Sequence, residues 1–239
     1  MRQFALAIPA LWLASCGHAE SGSSALGSRS FALAGFDQVA LHGSDDVKVV
    51  IGKAFAVSAS GPQDALDQLE IVVDDGVLKV GRKSNSSWHI GWPHDGDRGV
   101  KVTVTLPAIS GARVAGSGDM IVEQAIANDF KASLAGSGGL KIGNLQAKTV
   151  NVSLAGSGDI EIAGRASAVD ISGAGSGDIT AKALEAETAT VSLAGSGNVS
   201  ARATGSASVS LMGSGDVVIS GVASCKTSKL GSGDVTCAI

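Results

Sequence analysis

Residues 150–162 read VNVSLAGSGDIEI, and versions of this stretch recur from residue 110 to the end of the chain. At its centre is a Gly-Ser-Gly-Asp tetrad, which occurs seven times, with Gly139 and Asn198 replacing the Asp in two copies. The tetrads begin at Gly116, Gly136, Gly156, Gly175, Gly195, Gly213 and Gly231. Successive copies lie 18 to 20 residues apart. A near-constant period of this length is typical of a solenoid of stacked coils.

Apolar residues alternate with polar ones on both sides of each tetrad, which indicates strands. In the copy quoted above, Val150, Val152 and Leu154 precede the tetrad, and Ile160 and Ile162 follow it. Each unit therefore reads as strand, corner, strand and return, and each can bury only one face, so the units must stack to become stable. Glycine suits a corner repeated in register because it tolerates positive φ and carries no Cβ.

The composition fits a thin, aliphatic core. The 239 residues include 33 Gly and 5 Phe but no Tyr, so the core must be built from Val, Ile, Leu and Ala. The net charge is -4 and the chain has no basic run, which argues against a nucleic-acid partner.

Residues 31–109 carry a different pattern, of short strands without the tetrad. Residues 69–73 and 77–80, joined by Asp74-Asp75-Gly76, predict a hairpin, and residues 100–106 alternate cleanly up to Pro107. We expect short antiparallel strands here that cap the first coil of the solenoid formed by residues 110–239.

The chain resembles the head GIN domain family, described as auto-transporter adhesins, over residues 31–239. The matching residues are Phe36-x-x-Val39, Val47-x-Val49, Gly76-x-Leu78-x-Val80 and Val102-x-Val104-x-x-Pro107, followed by the repeated Leu-Ala-Gly-Ser-Gly-Asp-Ile blocks. The resemblance implies an all-β, right-handed parallel β-helix of about seven coils, often carried on lipoproteins of Gram-negative bacteria. It implies no catalytic residues.

The N-terminus carries the features of an export signal. Residues 1–15 combine Arg2 with a short apolar stretch, and Leu13-Ala14-Ser15-Cys16 resembles the lipobox of bacterial lipoproteins. The resemblance implies cleavage before Cys16, lipidation of Cys16 and, because Gly17 follows, an outer-membrane location. The alternative is an ordinary signal peptide with a chance cysteine. Residues 16–30 are expected to be the lipidated cysteine and a flexible Gly/Ser/Ala tether.

The aspartates of the tetrads are the first candidate for chemistry. Stacking should align them in one column, listed here as Asp119, Asp159, Asp178, Asp216 and Asp234. We expect solvated turn caps, with a cation between the carboxylates as the alternative. The tetrads match neither a phosphate-binding loop nor a serine hydrolase, because the required Lys and His are missing at fixed offsets.

The second candidate is the segment 84–98, which is rich in aromatic, imidazole and carboxylate groups: Trp88, His89, Trp92, His94 and Asp95. Exposed aromatic side chains mark interaction surfaces, so this is a candidate binding loop. The alternatives are a hairpin tip whose tryptophans pack on the sheet, and a metal site, although the spacing fits no standard one.

Cys225 and Cys237 are the third candidate, because they remain as a pair once Cys16 is lipidated. They lie six residues on either side of Gly231, so a disulfide would close the last coil in an oxidising compartment. Two buried free thiols are the alternative, and redox chemistry is disfavoured by the absence of C-x-x-C.

The resulting hypothesis is a non-enzymatic envelope lipoprotein, without cofactor, that displays a surface for adhesion. Its partners would be the membrane, through the lipid, and a glycan or an envelope protein. Regular solenoid ends would also permit a homo-oligomer. Two alternatives stay open: a carbohydrate-active enzyme on a β-helix, and a periplasmic regulatory or interaction protein.

Overall fold

The computed structural model describes residues 25–83 and 99–239, which form sixteen strands and one short helix. The elements of the first part are β1 Leu26–Phe31, β2 Gln38–Gly43, β3 Asp46–Ile51, β4 Ala56–Pro62, α1 Gln63–Gln68, β5 Leu69–Asp74 and β6 Val77–Arg82. Those of the second part are β7 Lys101–Leu106, β8 Gly111–Gly116, β9 Met120–Gly136, β10 Gly139–Gly156, β11 Asp159–Gly175, β12 Ile179–Gly195, β13 Val199–Gly213, β14 Val217–Ser220, β15 Ser224–Gly231 and β16 Val235–Ala238. No helix within these residues has the length and hydropathy needed to cross a bilayer.

The predicted all-β solenoid is confirmed, with about six turns. Each of the long strands β9 to β13 begins after one Gly-Ser-Gly corner, bends, and ends at the next corner. Neighbouring coils pair in parallel on both sides of the bend, so that Gly136 lies beside Gly156 and Gly156 beside Gly175. The tetrads therefore stack on one another along the rod.

Each corner is fastened to the next by the carbonyl group of its first glycine. The Gly136 oxygen accepts hydrogen bonds from the N–H groups of Ser157 and Gly158, both at 3.0 Å. The same pair of bonds recurs at the corners before and after it. A Cβ on Gly158 would clash with the carbonyl oxygen of Gly138 in the preceding corner. The spacing of the coils thus requires glycine at this position, independently of its φ angle.

The core is a set of aliphatic columns, one residue from each coil. Val150, Val152 and Leu154 all point inward and are buried, as are their equivalents in neighbouring coils. Phe130 is fully buried within the coils, and Phe36 is buried in the N-terminal part of the same core. The alternation that predicted the strands is therefore the alternation between core and solvent.

The N-terminal strands continue the solenoid, whereas we expected an antiparallel cap. Strand β2 pairs in parallel with β8, and β3 pairs in parallel with β7 and β9. Gly43 lies beside Gly116, and its carbonyl oxygen accepts the N–H bonds of Ser117 and Gly118. Residues 43–46 thus form a further corner, which the motif did not reveal because Asp45 replaces the third-position glycine.

The antiparallel pairing is confined to the end of the rod. Strand β4 pairs with β1 and β7, and β5 pairs with β6, all antiparallel. Helix α1 packs on β1 and β4, and its residue Leu66 is buried. The predicted tether was wrong for residues 26–30, which belong to β1. Strand β1 is held by backbone pairing with β4, which does not require apolar side chains. Its Gly- and Ser-rich sequence therefore lacks the apolar alternation from which a strand would be predicted.

We predict that Gly138→Ala destabilises the protein more than Gly139→Ala does. A Cβ at position 138 would meet the backbone carbonyl of Gly118, whereas at position 139 it would meet the end of the Asp119 side chain, which can rotate away at the cost of its bond to the Gly139 N–H. Overpacking of this kind costs about 1–3 kcal/mol. Urea unfolding of both variants measures the difference, and equal midpoints would contradict the role assigned to the corner.

Candidate functional site

The aspartate column is a chain of side-chain caps linking successive coils. The Asp178 Oδ1 atom accepts hydrogen bonds from the N–H of Asn198 at 2.8 Å and from its side-chain Nδ2 at 3.0 Å. Asn198 Oδ1 in turn accepts the N–H of Asp216, and Asp216 Oδ1 accepts that of Asp234. The Asp119 and Asp159 carboxylates likewise bond to the following corner, through the N–H groups of Gly139 and Asp178. Each of these bonds comes from the following coil, 18 to 20 residues further along the chain, so the side chains cap the next corner rather than their own turn.

The cation alternative for this column stays a prediction. Among the residues that the structure describes, no group of three or more His, Cys, Asp or Glu side chains is placed to hold a metal ion. The caps are exposed, and the carboxylates of Asp119, Asp159, Asp178 and Asp216 each bond through one oxygen to the next coil. Cation binding would therefore have to use the second oxygen of neighbouring carboxylates.

Cys225 and Cys237 form a disulfide in the last coil, with their Cα atoms 6.5 Å apart. It joins β15, which pairs with β13, to β16, which pairs with β14. The bond therefore connects the two strands that end the solenoid.

The last coil keeps the register of the others but not their inward residues. Lys229 lies beside Leu211, which is buried, yet Lys229 is exposed and pairs with Asp234 at 3.2 Å. Leu230 lies beside Met212 and points outward, with 68% of its surface exposed. A charged residue in the position of a core leucine is unfavourable for the stacking of another coil.

The candidate binding loop with Trp88, His89, Trp92, His94 and Asp95 lies outside the described residues. The chain on both sides of it is held by Asp45, whose side chain is fully buried. Its carboxylate accepts two hydrogen bonds from the Arg82 guanidinium, at 2.6 and 3.0 Å, and one from the N–H of Val100 at 2.9 Å. Asp45 thus links the residues that precede and follow the loop to the first corner.

The structure adds a feature that the sequence analysis missed, a trough that runs along the rod where the coils bend. Its floor is a column of alanines, one from each of five neighbouring coils: Ala127, Ala147, Ala166, Ala186 and Ala203. They are buried or half-buried against the core. Because alanine is small, the backbone can approach the axis of the rod along this line.

Two columns of exposed side chains form the walls of this alanine trough. One wall consists of the residues before the alanines: Ile126, Gln146, Arg165, Glu185 and Arg202. The other consists of the residues after them: Asn128, Lys148, Ser167, Glu187 and Thr204. Most of these residues line one of two separate depressions of about 680 and 450 Å³. The sequence signal was present, since an alanine recurs with nearly the same interval as the tetrads.

The bend of β11 is shorter than that of either neighbouring coil. Strand β11 has one residue fewer here than β10 and β12, which appears as a register shift on both sides. Gly164 absorbs the shift with φ of 142°, and a Cβ on it would clash with the carbonyl oxygen of Leu145. The position requires glycine, since other residues rarely adopt this φ.

These features define a β-solenoid that repeats its surface side chains in columns, with capped corners on one edge and a polar trough on one face. The chain belongs to the family described as "Putative auto-transporter adhesin, head GIN domain", whose model matches residues 35–223. The resemblance found in the sequence is confirmed.

Solved structures from three bacterial species share this fold. A "putative adhesin" from Bacteroides fragilis has a TM-score of 0.81 and 22% identity, with 91% of this chain and 98% of that one covered. A "putative adhesin" from Parabacteroides merdae has a TM-score of 0.68 and 16% identity, covering 91% and 98%. A "putative lipid binding protein" from Parabacteroides distasonis has a TM-score of 0.66 and 20% identity, covering 90% and 96%. At these identities the likeness concerns the fold alone. No curated protein is detectably similar to the chain.

Asp178→Ala should lower the free energy of unfolding by about 0.5–1.5 kcal/mol, the net worth of an ordinary hydrogen bond. It removes the acceptor of both bonds from Asn198. Ser196→Ala, at an exposed corner serine, is the matched control and should leave the urea midpoint unchanged. A midpoint that rises with added calcium in the wild type but not in Asp178→Ala would instead favour the cation column.

Asp45→Ala should be far more damaging than the loss of a surface ion pair. Removing one partner of a buried pair typically costs about 3–5 kcal/mol, whereas Asp67→Ala, which breaks the exposed pair with Arg29, should cost less than about 1 kcal/mol. Thermal or urea unfolding compares the two variants. Similar losses would show that Asp45 contributes no more than an exposed carboxylate.

Proposed function

We propose that the protein is a non-enzymatic cell-envelope lipoprotein that acts as an adhesion or display module. The observation that carries this proposal is the adhesin family match across residues 35–223. The stacked architecture supports it, because a solenoid repeats each surface residue at intervals of about 4.8 Å and so builds extended surfaces suited to binding.

The placement of the aspartates supports a non-catalytic role. A hydrolase on this fold would need carboxylates available for proton transfer to substrate. The aspartates of the tetrads instead accept backbone N–H bonds from the neighbouring coil, as Asp119 does from Gly139 at 2.7 Å. Their recurrence is explained by the construction of the corners.

The membrane partner in this proposal is reached through Cys16. Several acyl chains on one residue give a lasting anchor, since burial contributes about 0.8 kcal/mol per methylene group. Nine residues separate Cys16 from Leu26, the first residue of β1, so their Cα atoms lie ten residue steps apart. An extended chain of that length spans at most about 35 Å. The folded domain would therefore stand close to the outer membrane, at the N-terminal end of the rod.

Expression of the full chain and of Cys16→Ala in a Gram-negative host tests the anchor. Metabolic labelling with an alkyne fatty acid should mark the wild type but not the variant, and the variant should move from the membrane to the soluble fraction. Labelling of Cys16→Ala equal to that of the wild type would contradict the lipoprotein assignment.

Adhesion is tested with the same strains in a surface-attachment assay. Cells that carry the wild-type chain should attach more strongly than cells with an empty vector, and Cys16→Ala should abolish the gain, because the module is no longer held at the cell. Equal attachment of the wild-type and empty-vector cells would overturn the adhesion role.

A further inference from the structure

The last coil, residues 224–238, is attached more weakly than the coils before it. Its strands pair on one side only, β15 with β13 and β16 with β14, and no strand lies beyond them in the described part of the chain. The Gly213 carbonyl oxygen accepts one N–H from the last corner, that of Gly233 at 3.2 Å, whereas each earlier corner supplies two. The coil also lies beyond residues 35–223, which match the family model.

The inward side chains of β15 contribute little apolar packing. Thr227 and Lys229 continue the core columns of Val209 and Leu211, and both are exposed. A terminal coil of a solenoid is stabilised by one neighbour only. A terminal coil with polar inward residues therefore buries little apolar surface of its own, and it belongs to the parts of a protein that open locally.

The Cys225–Cys237 disulfide is the covalent link that closes this coil. It spans a sequence separation of 12, which includes the last corner, and joins β15 to β16. Such a bond restricts the conformations of the detached chain and so opposes detachment. Both cysteines are half-buried at the end of the rod, where a small dithiol can reach the sulfur atoms.

The edge that the last coil covers is apolar on its inner side and uncharged along its length. It consists of residues 206–213 in β13, which read SASVSLMG, and residues 217–220 in β14, which read VVIS. Val209 and Leu211 are buried in this edge while β15 covers it. An uncharged strand edge of this kind pairs readily with another chain, whereas Lys229 opposes such pairing at the edge of the last coil.

A second copy of the chain fits the uncovered edge. Two copies related by a two-fold axis can pair residues 206–213 antiparallel about Val209, with Ala207 of one copy opposite Leu211 of the other. Residues that lie opposite each other in a sheet point to the same face, so the inward residues of one core would continue those of the other. A two-fold contact also closes on itself and does not extend into a fibre.

We propose that the last coil is a redox-released cap, and that the edge beneath it joins two copies of the chain. The thiolate of a dithiol reductant attacks one sulfur of the disulfide, and its second thiol then resolves the mixed disulfide. Two electrons pass to the protein, Cys225 and Cys237 each end as a thiol, and the reductant leaves as a disulfide. Residues 224–239 then detach while the earlier coils stay folded. This device needs neither the lipid anchor nor the adhesion function.

Hydrogen exchange measured by mass spectrometry tests the release, on the full-length protein in detergent micelles. The oxidised protein is compared with protein that has been reduced with dithiothreitol and alkylated. We expect the amide protection of residues 224–238 to fall by about tenfold or more, and that of β9 to β12 to stay within about twofold. The variant Cys225→Ser with Cys237→Ser should show the released state with and without reductant. Unchanged protection of residues 224–238 would overturn the cap, and so would a loss of protection throughout β9 to β12.

Light scattering, with micelles in excess over protein, tests the pairing of two copies. The oxidised protein should have the mass of one chain and the reduced protein that of two. Ser208→Lys with Ser210→Lys changes two exposed residues on the outer side of the β13 edge. In the two-fold pair each lysine would lie opposite a lysine of the other copy, so the reduced variant should stay monomeric.

The matched control is Asn151→Lys with Ser153→Lys. These residues are exposed and occupy the equivalent positions of β10, three coils away from the edge, so the reduced control should still form the dimer. A reduced wild-type protein that releases its last coil yet stays monomeric would overturn the pairing of two copies. Equal dimerisation of the two lysine variants would overturn the β13 edge as the contact.

Discussion

From Gly43 to Gly195, the carbonyl oxygen of the first glycine in each corner accepts hydrogen bonds from two N–H groups of the next corner, and the rest of the structure depends on this contact. It brings two backbones so close that a Cβ on the glycine of either corner has no space. Because the contact recurs at every coil, it fixes the register of the parallel strands on both sides. The aliphatic side chains of the core therefore align in columns even though they are too small to determine the register of the strands by themselves.

The fixed register aligns side chains in columns on the outer surface as well as in the core. Every outward residue acquires a neighbour of equivalent position in the coils before and after it, so small differences between repeats become features of a surface. The aspartates become a run of caps, and the recurrent alanines become a trough. Strand β11 has one residue fewer at its bend than β10 and β12, and Gly164 adopts the positive φ that the shorter bend requires.

The two ends of the rod are treated differently. At the N-terminal end the strands pair antiparallel, and α1 packs on β1 and β4 through its buried residue Leu66. At the other end β15 and β16 have no strand beyond them among the described residues. There the Cys225–Cys237 disulfide joins the two strands, and Lys229 replaces an inward leucine. A charge in that position makes the stacking of another coil costly, which protects an exposed sheet edge from association.

The sequence by itself determined the solenoid, the place of its corners and the inward faces of its strands, because glycine without a Cβ and the period of two are properties of a short segment. The spacing of Cys225 and Cys237 about the last corner also predicted that the two could pair. Only the tertiary structure decided that residues 43–46 form a corner, since Asp45 is accommodated there by Arg82 and Val100, which are 37 and 55 residues away. The same holds for β1, whose pairing uses the backbone of β4, and for the trough. A surface depression depends on which residues lie side by side in different coils, and that proximity exists only once the chain has stacked.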